Sequence, residues 1–144
     1  MPVAAWWWQL LLVAAAVHVG LELVVHLVVY PALASSSTDS PAGARRAHTQ
    51  HMRRMGVAVA PVYGLLGVAS VGVAVADPSP RAFACLGVVV VTFSVTGLLA
   101  VPAHEALVAE PDPSRRVPLH RRLARADRAR LVLALALLLL AWPT

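Results

Sequence analysis

Four apolar runs constrain this chain more than any other feature. Val3 to Tyr30 carries one acidic side chain, Glu22, and no arginine. Met55–Ala76 and Ala82–Val101 carry no charged residue at all. Leu131–Trp142 is solidly apolar. Read back through Ala124, Ala126 and Ala129, it reaches roughly 17–20 residues, the minimum for a bilayer crossing. Lipid offers backbone groups no partner, so a crossing must be a helix or a strand of a closed barrel. These runs are too long and continuous for barrel strands. The expected fold is therefore all-α: a polytopic membrane protein forming a single four-helix transmembrane bundle, with helices at about 3–31, 44–76, 81–108 and 118–142. The first run lacks a positive n-region and far exceeds the ~7–15 residues of a signal-peptide core. Composition agrees. Of 144 residues, 59% are hydrophobic and 13% charged, with mean hydropathy +0.73, where a soluble domain carries about a quarter charged residues.

The connections set the orientation. Ala34–Gln50 reads as a polar loop leading into the second helix, Asp77–Pro80 as a tight turn, and Glu110–Pro118 as a proline-rich break. All twelve basic residues are arginine. Arg45, Arg46, Arg53 and Arg54 flank the first connection, and Arg115, Arg116, Arg121, Arg122, Arg125, Arg128 and Arg130 the third. Only Arg81 lies at the second. Arginine-rich connections stay cytoplasmic, so both termini are expected to be extracytoplasmic. Trp6, Trp7, Trp8 and Trp142 then form an aromatic belt at the outer interface. The net charge of +5 serves anionic phospholipid headgroups at the arginines, and no nucleic-acid partner is expected. Pro61 and Pro102 should kink their helices. Gly64 and Gly67 should allow a neighbouring helix to approach closely.

The first helix carries His18, Glu22, His26 and Tyr30 at four-residue spacing. Residues four apart share a face, so these make a stripe about 18 Å long. In an up-and-down bundle the other polar residues meet its lower end. His48 and His51, with Met52 and Met55, enter the second helix on one face. His104 and Glu105 leave the third. His120 and Asp127, seven apart, share a face of the fourth. Ionisable groups inside a membrane are costly and usually functional.

Imidazole and carboxylate donors suit zinc, copper or non-haem iron, and four-helix bundles build metal sites from inward side chains. The expected metal ligands are Glu22, His26, His48, His51 and His104. Asp127 would orient a ligand histidine through its second nitrogen, and Tyr30 would assist proton transfer. With Glu22, these are the expected catalytic residues. Inward-pointing Met52 and Met55 would favour copper. No HExxH occurs, and the Glu-x-x-His pairs of di-iron bundles are absent. The leading expectation is a membrane-embedded metal-dependent oxidoreductase or oxygenase acting on a lipid-soluble substrate. Three alternatives stand beside it. One is a metal-free acid/base isomerase or cyclase on a lipidic substrate. Another is a haem b electron-transfer protein using two of the histidines. The third is a non-catalytic accessory subunit in which Glu22 pairs with a histidine or arginine to fix helix register. Under that reading His120 faces headgroups, and Thr92, Ser94 and Thr96 bond back to their own helix. Transport would require a homo-oligomer, because four short helices make no path alone.

Three motifs carry a resemblance. A "YPAL"-like turn ends the first helix (Tyr30-Pro31-Ala32-Leu33), an "HxxHxRR"-like entry opens the second (His48 to Arg54), and a "VPxHxxL"-like exit closes the third (Val101 to Leu107). The chain resembles small bacterial four-helix integral membrane proteins and, more distantly, anthrone-oxygenase-like membrane proteins. The resemblance implies the bacterial inner membrane and oxidation of a hydrophobic, aromatic-type substrate.

Overall fold

The computed structural model describes residues 2–32 and 41–143. Among them there are helices and no strand. The first rod is α1 (Val3–Val24), followed without a break by a π-helical turn, π1 (Val25–Val29), and helical residues to Ala32. The second is α2 (Pro41–Ala76). The third joins α3 (Pro80–Val95), a second π-turn, π2 (Thr96–Ala100), and α4 (Val101–Ala109). The fourth is α5 (Pro113–Ala141). The part of the expected first loop at residues 34–40 lies outside the described residues, whereas residues 41–50 are already helical.

The two proline-rich breaks are helix starts. Ser79 accepts a hydrogen bond from the Ala82 amide with Pro80 in the first turn of α3. Asp112 accepts from the Ser114 amide with Pro113 in the first turn of α5. A capping oxygen satisfies an orphan amide, and proline there removes a donor the helix does not use. This is why α5 begins at Pro113 rather than near 118.

Three helical segments are long and apolar enough to cross a membrane: Val3–Ala32, His48–Ala76 and Pro80–Ala109. The fourth rod is not among them, because Arg125, Asp127, Arg128 and Arg130 interrupt its apolar sequence. Large apolar side chains cover the outside of the three, including Leu27, Val57, Val75, Val90 and Leu98. In water such a surface would drive aggregation, whereas against acyl chains it costs nothing.

The rods form a ring, the first against the second and fourth, the third against the same two. Two apolar clusters fill the interior. The larger holds Leu11, Ala14, Leu66, Ala69, Val73, Ala82, Cys85, Val89 and Leu137. The smaller holds Ala100, Ala103, Leu107, Leu123 and Ala126. With Ala15 and Ala141 counted, alanine is the commonest residue of both, letting backbones approach where packing must replace the hydrophobic drive. The expected close approach falls elsewhere than Gly64, whose absent Cβ would meet nothing within 4 Å. It falls at Gly72, where a Cβ would collide with the Trp7 ring, and more loosely at Gly67 beneath Phe93. Trp7 is thus packed inward, leaving Trp6 and Trp142 as the exposed indoles.

At that end the Trp8 indole donates to Asp77 at 2.9 Å. The Arg81 guanidinium sits 4.4 Å over the Trp8 ring. It also donates to the Leu140 and Trp142 carbonyls, satisfying orphan acceptors at the C-terminus of α5. The opposite end gathers the histidines.

Both π-turns precede a proline in the same register. The Tyr30 amide reaches back to the Val25 carbonyl, and Pro31 comes next. The Val101 amide reaches back to Thr96, and Pro102 comes next. A proline ring clashes with the carbonyl four residues earlier in an α-helix. One widened turn relieves the clash and rotates the rest of the helix beyond it. The residues redirected are Tyr30 and His104. Pro61, by contrast, leaves α2 an uninterrupted helix.

Candidate functional site

Two polar clusters gather five of the six histidines. The first ties the first rod to the fourth. His18 Nε2 lies 3.3 Å from Glu22, one turn on. Glu22 lies 3.3 Å from an Arg130 terminal nitrogen, and that nitrogen lies 3.4 Å from Asp127. Asp127 in turn meets His26 Nδ1 at 2.6 Å. His18, Glu22, Asp127 and Arg130 are all buried. An ionised Asp127 can only accept, so His26 then carries hydrogen on Nδ1 and donates it. The two carboxylates outnumber the guanidinium by one. Tyr63 packs its ring edge on His18 at 5.4 Å and shares a 2.8 Å hydrogen bond with Thr96.

The second cluster joins the second rod to the third. His48 Nε2 and His104 Nδ1 are 2.9 Å apart, one donating to the other. The three imidazoles of His48, His51 and His104 form a triangle with centroid separations of 4.9, 5.9 and 6.2 Å. Tyr30 stacks on His104 at 6.3 Å.

Between the clusters lies a cleft of about 150 Å³. Its apolar lining includes Leu21, Val25, Met52, Met55, Val59 and Val101, and its polar lining Glu22, Tyr30, His51, His104 and Arg130.

The expected site residues therefore divide. His48, His51 and His104 come together, with Tyr30 against them. Glu22 borders the same cleft but is bound to His18 and Arg130. His26 is drawn to Asp127 on the fourth rod and does not line the cleft. Of the five expected ligands, the contacts gather the three imidazoles and leave Glu22 and His26 with partners on the first and fourth rods. Among the described residues no group of three or more His, Cys, Asp and Glu side chains is arranged to hold a metal ion. Asp127 is hydrogen-bonded to His26. Met52 and Met55 do face the cleft. Thr92, Ser94 and Thr96 bond back to Val88, Val90 and Thr92. His120 is half-buried, and burial together with the Arg116 guanidinium holds it below the usual imidazole range.

Arg130 belongs to the site, although the orientation rule counts it only as a cytoplasmic arginine. Its place in the series Leu123, Ala126, Arg130, Ala134, Leu137, Ala141 is the sequence signal that marks it. Those spacings of three and four define one helix face, and every other member is a buried core residue.

No protein-family model, curated protein or solved structure matches the chain.

Proposed function

We propose that this chain is a bacterial inner-membrane protein crossing the bilayer four times, both termini outside, that performs acid/base chemistry on a lipid-soluble substrate. The observation that carries this reading is the cleft: a mostly apolar lining that also holds titratable groups from all four rods, within helices suited to a membrane. The fourth crossing is consistent with the burial of Asp127 and Arg130. Paired inside the bundle, they are not charges offered to lipid. The arginine distribution supports a cytoplasmic position for the histidine end.

An apolar substrate would lie against Val25, Met55 and Val59 with its polar group toward Tyr30, His51 and His104. The His48–His104 pair suits proton abstraction. With Nδ1–H donated to His48, His104 presents Nε2 as a base. A proton taken there is balanced by transfer of the Nδ1 hydrogen to His48. His51 or Tyr30 is placed to return a proton to another carbon, giving an isomerisation or cyclisation. Glu22 and Arg130 supply a fixed, paired charge beside the cleft, and Asp127 holds His26. General acid–base catalysis of this kind contributes roughly 10²–10⁴-fold.

The metal-dependent oxidoreductase is kept as a second reading, because one observation favours it. Three imidazoles with centroids 4.9–6.2 Å apart need only small movements to share one zinc, copper or iron, with Met52 and Met55 beside them. A haem b between His48 and His104 is less compatible, since their direct hydrogen bond would have to open by the thickness of a macrocycle.

The test uses detergent-purified, chelator-stripped protein incubated with a membrane lipid extract in D₂O, read by mass spectrometry. The expected result is deuterium entering a lipid species without added metal, reduced at least about tenfold in His104→Ala and unchanged in His120→Ala. Activity that returns only with stoichiometric copper, iron or zinc, which His104→Ala no longer retains, would transfer the assignment to the second reading. Neither turnover nor bound metal would leave the accessory role.

A further inference from the structure

A second cleft, of about 430 Å³, opens where the second and third rods leave the apolar part of the bundle. Arg45 and Arg46 of α2 form one side. Val108 and Ala109 at the end of α4, with Glu110 and Pro111, form another, and Arg116 of α5 closes it. The spans fix its depth relative to a bilayer. Ala109 is the last residue of one apolar segment, and Arg45 and Arg46 lie just before His48, where another begins. The cleft therefore sits at the level of lipid headgroups.

Its charge is strongly unbalanced. Three guanidiniums face a single carboxylate, and Glu110 Oε1 is occupied by the Asp112 amide at 3.0 Å. Arg116 is buried and donates through Nε to the Glu110 carbonyl at 2.9 Å. That bond fixes its side chain and leaves its terminal nitrogens outside it. Guanidinium forks match phosphate geometry with two parallel hydrogen bonds. Val108, Ala109 and Pro111 add an apolar floor suited to the glycerol region of a lipid.

We infer that this cleft binds the phosphate of an anionic phospholipid, its acyl chains entering the bilayer beside the second and third rods. The inference rests on the membrane-spanning reading and not on the acid/base chemistry. It gives the lipid one defined place at an end of the bundle where Arg53, Arg54, Arg115, Arg121, Arg122, Arg125 and Arg128 also lie in the sequence.

The test is native mass spectrometry of detergent-purified protein with dioleoylphosphatidylglycerol, dioleoylphosphatidylcholine or soluble glycerol 3-phosphate. Phosphatidylglycerol should be retained in preference to phosphatidylcholine. The double variant Arg45→Gln/Arg46→Gln should weaken retention by at least about fivefold, the scale expected for one interfacial arginine. Arg121→Gln/Arg122→Gln, an equal charge loss outside the cleft, should change it less than twofold. Arg116→Gln should act in the same direction as the first pair, guarding against a folding defect in either. Equal losses in both pairs, no preference for phosphatidylglycerol, or equal binding of glycerol 3-phosphate would each overturn the assignment. Resistance of the same protein to alkaline carbonate extraction reports separately on whether it spans the membrane.

Discussion

At the scale of the residue, Arg130 decides the electrostatics of the interior. It lies between Glu22 and Asp127 with every partner buried. Removing one member of a buried ion pair leaves an uncompensated charge and costs about 3–5 kcal/mol, whereas removing both sides is far cheaper. Arg130→Met should therefore destabilise the protein strongly, and adding Glu22→Gln and Asp127→Asn should recover much of the loss. Urea unfolding in detergent, followed by circular dichroism, measures both, and a triple variant no more stable than Arg130→Met would contradict the pairing. Glu22 is legible in the sequence because an acidic residue in an apolar run demands a partner, and Asp127 because it shares a helix face with His120. Arg130 is not, because the orientation rule accounts for arginines at a membrane edge without reference to helix face. His26 escapes for a related reason. Four-residue spacing puts it on the Glu22 stripe, but π1 changes the turn at that point and Asp127 takes the imidazole.

At the scale of the element, the two π-turns set where the site residues point. Tyr30 and His104 each come after a widened turn, beside a proline, and they stack on one another. Deleting Leu98 from π2 should restore ordinary helical spacing and rotate α4 by about 100° relative to α3, one residue's turn. The expected outcome is helix content unchanged by circular dichroism with loss of the His104-dependent deuterium incorporation. Retained incorporation would mean that the π-turn does not position His104. The prolines mark these places in the sequence, yet nothing distinguishes Pro102, which is accommodated by a π-turn, from Pro61, which α2 carries without one. That difference depends on how the rods pack, which a single helix's sequence does not contain. The starts of α3 and α5 follow local capping chemistry at Ser79 and Asp112; the first falls within a residue of its expected place, and the second is hidden where Glu110–Pro118 reads as a break.

At the scale of the whole molecule, the histidine end and the tryptophan end are separated by the length of the rods, and the arginines imply which faces the cytoplasm. Cys85 is the sole cysteine and fully buried, so introduced cysteines report cleanly. Pro78→Cys should react with a membrane-impermeant maleimide in intact cells, and Arg115→Cys only after lysis; the reverse pattern would invert the topology. Three of the rods are readable from hydropathy alone, and the fourth only by reading its short apolar run back through the charged stretch before it. The division of the histidines into two clusters is not, because it depends on which rods are neighbours around the ring. One arrangement is central to the site: side chains 48 and 104, far apart in the chain, meet across the second and third rods. Cross-linking measures it directly, using His48→Cys/His104→Cys with a short bifunctional maleimide and peptide mass spectrometry. The expected result is an intramolecular 48–104 link formed in membranes in high yield. Efficient modification of both cysteines singly, with no link between them, would contradict it.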